Sequence, residues 1–189
     1  MYPGRFDYHR ADTVSEALDL LEDHAGREVE LLSGGHSLLP TMKTGLASPE
    51  VLIDIGDIAD MTGIEPDGDR TVIGANTRYA DIAASDLAWE RCTQLAEAAH
   101  AVGDIQVRNR GTIGGNIAHS DPAADLPAAV LASNASVVVR GPDGERSVDA
   151  DDFFEGMYMT ALSEDEILTR VEVPNLGEND AGAYAKKPS

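Results

Sequence analysis

The sequence predicts an α+β fold of two subdomains that divide near residue 55. Up to that point, a helical pattern after Thr13 is followed by the apolar segments Val29–Leu32 and Val51–Asp54, an order typical of a βαβ unit. Beyond it, short apolar strands and short helices are mixed, with glycine-rich connections between them. The expected parts are a first subdomain at 1–55, a second at 56–175 and the start of a linker at 176–189.

The first subdomain contains two predicted helices. Apolar residues after Thr13 recur at the spacing of one helical face, and Glu16 follows Thr13 at the spacing of a capping box. A second, short helix is predicted from Leu38, with Ser37 as its N-cap and Gly45 at its end. This helix would begin directly behind a glycine-rich segment.

In the second subdomain, apolar runs and helical periodicity predict short elements in mixed order. The predicted elements are strands at 71–75 and 167–173, a hairpin at 137–148, and helices at 79–84, 93–102 and 125–132. Residues 105–116 are dense in glycine and show no regular pattern, so we expect an irregular connection there. The residues after 175 are rich in turn formers and have no evident partner.

The composition excludes several classes of function. Of the 189 residues, 34 are acidic and 14 are Lys or Arg, which gives a formal net charge of −20. Nucleic acids and anionic membranes attract clustered positive charge, so neither is an expected partner. The acidic residues are spread along the chain and lysine occurs only at positions 43, 186 and 187, a pattern that favours a protein adapted to high salt.

The single cysteine limits the redox and metal chemistry of the chain. Cys92 alone permits no intrachain disulfide and no zinc or iron–sulfur site built from thiolates of this chain. The first residues lack the apolar run of a signal peptide, and no apolar stretch is long enough to span a bilayer. We therefore expect a cytoplasmic protein without membrane insertion.

The first glycine-rich segment is Ser-Gly-Gly-His-Ser at residues 33–37, between a predicted strand and a predicted helix. Glycine allows positive φ angles and a close approach of a ligand to the backbone, and amides at a helix N-terminus attract anions. The segment is therefore either a phosphate cradle or a tight turn. It matches neither a Walker A loop nor the Gly-x-Gly-x-x-Gly pattern.

The second glycine-rich segment is Gly-Thr-Ile-Gly-Gly-Asn at residues 111–116. Backbone amides and the side chains of Thr112 and Asn116 would supply donors without charge, which suits a pyrophosphate in an acidic protein. Asp125 lies a few residues further on and has two interpretations. Its carboxylate would accept hydrogen bonds from a ligand, or it would cap the helix that follows.

The remaining polar residues give no sign of a metal centre or of a nucleophile. His36 and His119 each lie beside a glycine-rich segment, but the sequence has no His-x-x-x-His or Cys-x-x-Cys spacing. Ser37 is not part of a Gly-x-Ser-x-Gly nucleophile elbow. We therefore predict no catalytic side chain and no metal ligand in this chain.

Three segments together resemble one family: residues 33–40 (SGGHSLLP), 108–118 (RNRGTIGGNIA) and 121–127 (DPAADLP). In this order and spacing they are similar to the FAD-binding medium subunit of the molybdenum hydroxylases, the family of aerobic carbon monoxide dehydrogenase and xanthine dehydrogenase. The opening residues 3–8, PGRFDY, also look like the start of that subunit. The resemblance covers essentially the whole chain. It implies the two-subdomain FAD-binding fold of the vanillyl-alcohol oxidase (PCMH) type, with FAD between the subdomains.

The resemblance also assigns site residues. It places Asp125 by the ribityl chain or the flavin, Leu168 beside the isoalloxazine ring, and Lys186 of a Tyr-x-Lys segment near the flavin. The residues that it implies for the FAD pyrophosphate are Leu32, Ser33, Gly34, Gly35, His36, Ser37, Leu38, Thr112, Ile113, Gly114, Gly115 and Asn116.

The activity implied by the resemblance is an electron relay. A large partner subunit carries the molybdenum cofactor and oxidises the substrate, a small partner carries two 2Fe–2S clusters, and the flavin subunit passes electrons to an external acceptor. The three form a heterotrimer, whose dimerisation the sequence leaves open. Family members continue into another domain after the Tyr-x-Lys segment, so a missing C-terminal domain is expected. The alternatives are a free-standing flavin-dependent oxidoreductase of this fold and a non-catalytic, partner-binding subunit.

Overall fold

The computed structural model describes residues 2–187. Its first sheet has three parallel strands, β1 (Asp7–Arg10), β2 (Val29–Leu32) and β3 (Val51–Asp54), in the order β1-β3-β2. The helices α1 (Val14–Asp23) and α2 (Leu38–Thr44) lie between them along the chain. The predicted helices and the strands β2 and β3 are confirmed. β1 carries mostly exposed side chains and has no apolar run that would have indicated it.

The two helix starts of this region are capped differently. The Glu16 amide donates to the Thr13 hydroxyl (3.1 Å), and the Glu16 carboxylate reaches back to accept from the amide of Asp12 (2.9 Å). Ser37 stands at the N-cap of α2, but its side chain makes no capping bond, so only the predicted position is confirmed. Gly45 ends α2 in the left-handed conformation, with a φ of 79°.

The second sheet is antiparallel. The strands after residue 55 are β4 (Ile64–Asp67), β5 (Arg70–Gly74), β6 (Ser136–Gly141), β7 (Gly144–Asp149), β8 (Phe154–Gly156), β9 (Met159–Thr160) and β10 (Ile167–Pro174). Five of them pair in the order β4-β5-β10-β6-β7, and β8 pairs with β9 in a small hairpin. The predicted β6–β7 hairpin and the strand at 167–173 are confirmed, and β10 lies at the centre of the sheet.

Seven further α-helices and one short 3-10 helix (Ala59–Met61) follow α2 in the described residues. The α-helices are α3 (Tyr79–Ala84), α4 (Asp86–Arg91), α5 (Thr93–Ala101), α6 (Ile105–Arg108), α7 (Ile113–His119), α8 (Leu126–Ala132) and α9 (Ala150–Phe153). The prediction of an irregular connection at 105–116 is wrong, because α6 and the start of α7 lie there. Asp104 and Thr112 cap these helices through their side chains, while the glycines of α7 lower its helix propensity and conceal it in the sequence.

Apolar residues from both sheets share one core. Ile53 of β3, Ile73 of β5 and Val171 of β10 are fully buried in the same cluster. The first sheet is built from residues 7–54 and the second from residues 64–174, and the subdomain boundary near residue 55 stays a prediction. Within residues 2–187, no helix has the length and apolar character that crossing a membrane requires.

The segment 175–187 forms no helix or strand, but it does have partners. The Leu176 amide donates to the Arg91 carbonyl (2.8 Å), and the Tyr184 amide donates to the Glu97 carboxylate (2.6 Å). The expectation that this segment lacks a partner is therefore wrong, because backbone amides fasten it to α4 and α5. Its role as the start of a linker stays a prediction.

Candidate functional site

A cavity of about 780 Å³ opens between the first sheet and the second, and both glycine-rich segments line it. Cavities of roughly 300–1,000 Å³ are typical of small-molecule and cofactor sites. Apolar side chains such as Leu21, Met61 and Leu168 form part of the wall, and polar groups gather near the glycines. The cavity therefore offers apolar surface for rings and polar groups for an anion.

The first polar wall is the turn between β2 and α2. Gly35 has a φ of +74°, a backbone conformation that favours glycine. Gly34 has no room for a side chain, because a Cβ there would overlap the carbonyl group of Arg110. Among the described residues, no acceptor takes a hydrogen bond from the backbone amides of residues 34–37, which line the cavity. These amides remain free to bind a ligand.

The second polar wall is the start of α7. Thr112 caps this helix by accepting from the Gly115 amide (3.3 Å). Gly114 is buried, its amide donates to the Ala75 carbonyl (2.8 Å), and a Cβ there would overlap Ala75. Gly115 is exposed, and a Cβ there would meet only the Thr112 hydroxyl, at 2.9 Å. Contacts within the protein thus account for Gly114, whereas the exposed Gly115 leaves room for a ligand beside the start of the helix.

A hydrogen-bond network ties the two walls together. The Ser33 hydroxyl donates to the Asn76 amide oxygen (2.6 Å) and lies 3.0 Å from the Thr112 hydroxyl. The Asn76 amide nitrogen donates to the Ile55 carbonyl (2.6 Å), and Asn76 is buried just behind β5. Sequence reasoning missed Asn76. In the sequence, Asn76 is a lone polar residue in the turn that ends a strand. Such a residue does not indicate a partner that, like Ser33, lies 43 positions away.

The donors of the site are neutral. Among the described residues that line the cavity, no side chain is lysine or arginine. The amide oxygen of Asn116 is buried and has no hydrogen-bond partner among them. Burial raises the pKa of Tyr79, which lines the cavity nearby, to about 12, so its hydroxyl stays protonated at ordinary pH. An anion bound here would be met by backbone amides, hydroxyls and amide groups.

Asp125 borders the cavity and is only 9% exposed. It stands at the N-cap of α8 without a capping bond, so the capping alternative is not realised. Its carboxylate instead accepts from the Tyr184 hydroxyl (2.6 Å) and from the Lys186 ammonium (2.8 Å). Burial, and then the Asp125 carboxylate, raise the pKa of Tyr184 to about 12. Asp125 therefore joins the cavity wall to the C-terminal segment.

Most of the predicted site residues meet in this one cavity. The predicted residues that line it are 32–38, Thr112, Gly114, Gly115, Asn116, Asp125 and Leu168. Ile113 is fully buried in the core instead, because the first turn of α7 turns its side chain away from the cavity. Lys186 lies outside the wall and reaches it only through Asp125. The contacts of these residues with a cofactor stay predictions.

The fold and the cavity together define a class of protein. Neutral donors where two glycine-rich turns meet suit a pyrophosphate, and the apolar walls suit aromatic rings. The free amides of residues 34–37 fit the phosphate groups of such a ligand, and the exposed Gly115 leaves room for them. The unpaired Asn116 oxygen fits a hydroxyl or N–H donor of the ligand. The chain is therefore a dinucleotide-binding domain of an α+β fold.

The particular family follows from comparison with known proteins. The model of the family described as "FAD binding domain in molybdopterin dehydrogenase" matches residues 4–176. The chain belongs to this family, and its cofactor is FAD. The resemblance, the fold class and the cofactor expected from the sequence are confirmed.

Relatives agree with this assignment. The carbon monoxide dehydrogenase medium chain of Hydrogenophaga pseudoflava is 48% identical over 186 residues, 98% of this chain and 64% of that protein. The glyceraldehyde dehydrogenase medium chain of Sulfolobus acidocaldarius is 39% identical over 176 residues, 93% of this chain and 62% of that protein. A solved structure of the Hydrogenophaga pseudoflava carbon monoxide dehydrogenase that lacks the Mo-pyranopterin moiety matches with a TM-score of 0.91 and 45% identity, covering 98% of this chain and 68% of that one.

The extent of these matches is a further finding. This chain spans 64% of the length of the first relative and 62% of the second. The match covers nearly all of this chain, so the similarity is to one part of a longer medium chain. The fold and the cofactor are shown for that part.

Proposed function

We propose that this chain is the FAD-binding part of a medium subunit in a molybdenum hydroxylase. In this proposal it relays electrons from 2Fe–2S clusters of a small partner subunit to an external acceptor, while a large partner holds the molybdenum cofactor and oxidises the substrate. Medium chains similar to this one belong to enzymes named for carbon monoxide and for glyceraldehyde. The substrate is therefore a property of the large partner and not of this cavity.

The observation that carries the proposal is the neutral polar wall where the two glycine-rich segments meet. A cavity built to transfer protons would present a carboxylate or a histidine aimed at a substrate, with a pKa adjusted to the task. The groups that join the two turns are instead the hydroxyls of Ser33 and Thr112 and the amide of Asn76. The buried Asp125 is paired with Lys186, and the other acidic and histidine side chains of the lining, such as Glu30 and His36, take no part in this junction. Such a wall holds and orients a cofactor.

Each part of the wall has a distinct task in this proposal. Bound FAD supplies the redox chemistry, because an isoalloxazine ring accepts electrons singly and releases them singly or in pairs. The free amides of residues 34–37 would bind the pyrophosphate, and the exposed Gly115 leaves room for it beside the second turn. Leu168 offers an apolar face to a ring, and Asp125 accepts from the ribityl chain or the flavin. Ser33, Asn76 and Thr112 keep the two turns at a fixed separation.

The proposal can be tested on the native complex, purified from its source under anaerobic conditions. We expect it to contain FAD, molybdenum and iron. Stopped-flow absorbance after substrate addition should show the iron–sulfur clusters reduced before the flavin. Removal of FAD should leave substrate-dependent reduction of the clusters intact and abolish delivery to the acceptor.

Two results would contradict the proposal. A flavin-containing protein without iron or molybdenum, reduced directly by its own substrate, would identify a free-standing oxidoreductase. A complex that contains the partner subunits but no flavin would identify a subunit that only binds partners.

A further inference from the structure

Tyr158 has a backbone conformation that its side chain does not favour. It is the second residue of the two-residue turn between β8 and β9, where Gly156 pairs with Met159. Its φ is +57°, in the left-handed region where glycine and asparagine are common and a bulky side chain is an outlier. A glycine would close the same turn without this strain. The turn itself therefore does not explain the tyrosine.

A second strained residue holds Tyr158 in place. Ser120, at the end of α7, also has a left-handed φ, of +48°. The Tyr158 amide donates to the Ser120 carbonyl (3.0 Å), and the Ser120 hydroxyl donates to the Gly156 carbonyl (3.2 Å). Strained backbone that its surroundings hold so firmly clusters at ligand sites. The hairpin is thus fixed on the end of the helix whose start forms the second polar wall.

Burial in the protein core does not explain why a tyrosine occupies position 158. Tyr158 is 59% exposed, yet it lines the cavity. Its ring packs against that of His119, with 5.3 Å between the ring centroids. The nearby carboxylate of Asp121 raises the pKa of the Tyr158 hydroxyl, so the ring is neutral at ordinary pH. The neutral Tyr158 ring thus packs against His119 at an interplanar angle of 58°, while much of it stays exposed.

The distance along α7 suits a dinucleotide. The helix runs from Ile113 to His119, and at about 1.5 Å per residue it spans about 10 Å. Its first turn carries Gly115, where the proposed pyrophosphate binds, and its last residue supports Tyr158. A ring attached to that pyrophosphate through a sugar or a ribityl chain would reach this end of the cavity.

We propose that Tyr158, supported by His119, stacks on an aromatic ring of bound FAD and positions it at the cavity mouth. This inference rests on the proposed function, since it requires FAD in this cavity. In this inference, the backbone strain at Tyr158 is tolerated because its ring contacts the ligand. Stability and affinity should therefore respond to the same substitution in opposite directions.

Tyr158→Gly tests this directly, because it relieves the strain and removes the ring. We expect its melting temperature to equal or exceed that of the wild type, and FAD titrated into the apoprotein to bind about ten-fold more weakly. Tyr158→Phe keeps the ring and should bind FAD within about two-fold of the wild type. Asn134→Gly is the matched control, because Asn134 is exposed, has a φ of +48° and does not line the cavity.

Titrations with ADP and with FMN identify the ring that is stacked. Weaker ADP binding by Tyr158→Gly would assign the adenine, and weaker FMN binding would assign the isoalloxazine ring. Unchanged affinity of Tyr158→Gly for FAD, while the wild type binds FAD, would overturn this inference and leave the proposed function standing. A wild-type protein that binds no FAD would overturn both.

Discussion

The two glycine-rich segments look alike in the sequence but use their glycines differently. In the first, Gly34 lies against the Arg110 carbonyl and Gly35 has a positive φ. In the second, Gly114 lies against Ala75, whereas Gly115 meets only a hydroxyl of its own helix turn. The fold thus accounts for Gly34, Gly35 and Gly114. Gly115 has the most open surroundings of the four, and its contact with the ligand stays a prediction.

A glycine motif therefore combines two requirements. Gly34 and Gly114 let backbone segments approach each other closely enough to bring both turns to one cavity. Only then can an open position such as Gly115 meet the phosphate groups. Substitutions at these positions should separate stability from FAD affinity.

The largest effect is expected for Gly34→Ala. A Cβ there would overlap the Arg110 carbonyl, and neither backbone segment can move without disturbing the other. We expect a loss of about 3 kcal/mol or more in the free energy of unfolding, measured by urea denaturation of the apoprotein. Gly4→Ala, at a position with open space around it, should change that free energy by less than about 0.5 kcal/mol. Equal stability of the two variants would refute the packing role of Gly34.

The next effect concerns binding more than stability. Gly115→Asp places a carboxylate where the pyrophosphate would bind, and we expect FAD affinity to fall at least about a hundredfold. Any side chain at this position would press its Cβ against the Thr112 hydroxyl, 2.9 Å away, so some stability should be lost to bulk alone, and the negative charge in the first turn of α7 should offset part of that loss. Isothermal titration with FAD and thermal unfolding measure the two effects. Gly115→Asn is the control of equal bulk without the charge and should bind FAD more tightly than Gly115→Asp, and normal FAD binding by Gly115→Asp would contradict the assignment.

The sequence was sufficient for the local parts of this site. The strand, glycine-rich turn and helix around residues 33–37 form as predicted, and the resemblance correctly gave the family, the fold and FAD. The cap at Thr13 also forms as predicted. These features depend on neighbours within a few positions, where propensity and capping determine the structure.

The parts that the sequence did not reveal depend on contacts between distant positions. Asn76 joins the two turns through Ser33, 43 positions away, and Tyr184 finds Asp125 across 59 positions. The pattern of residues also could not show that Ile113 turns into the core or that Tyr158 has a positive φ. Such contacts depend on the topology of the folded chain, and the pattern of residues in one sequence does not specify that topology.

Removal of Asn76 tests whether the two turns are held together by their network. Asn76→Ala leaves the Ile55 carbonyl with only the long bond from the Ile58 amide (3.3 Å), and it leaves the Ser33 hydroxyl with only Thr112 as a partner. We expect a loss of about 2 kcal/mol in the free energy of unfolding, and weaker FAD binding because the turns lose their fixed separation. Asn109→Ala removes a comparable bond at an exposed position and should cost less than about 0.5 kcal/mol. Unchanged FAD affinity of Asn76→Ala would show that the network serves stability alone.

The smallest effect on the free energy of unfolding at neutral pH is expected for substitution of Tyr79 by phenylalanine. The Tyr79 ring packs against Gly111 of the second segment. Its pKa is raised from 10.0 to about 12, mainly by burial, so the folded state favours the neutral phenol. Below pH 10 both states are protonated and this contribution is fully present. Between about pH 10 and 12 the unfolded chain loses its proton first, and the free energy of unfolding should fall by about 2 kcal/mol through this group.

Tyr79→Phe removes this titration while keeping the ring against Gly111. At pH 7 we expect a change of about 1 kcal/mol or less, and between pH 10 and 12 a shallower decline of stability than in the wild type. Some decline should remain, since the pKa of Tyr184 is also raised to about 12. Chemical denaturation at several pH values measures both slopes. Identical slopes for wild type and Tyr79→Phe would show that ionisation of Tyr79 does not lower the free energy of unfolding. They would also indicate that the second glycine-rich segment is less tightly packed than the first.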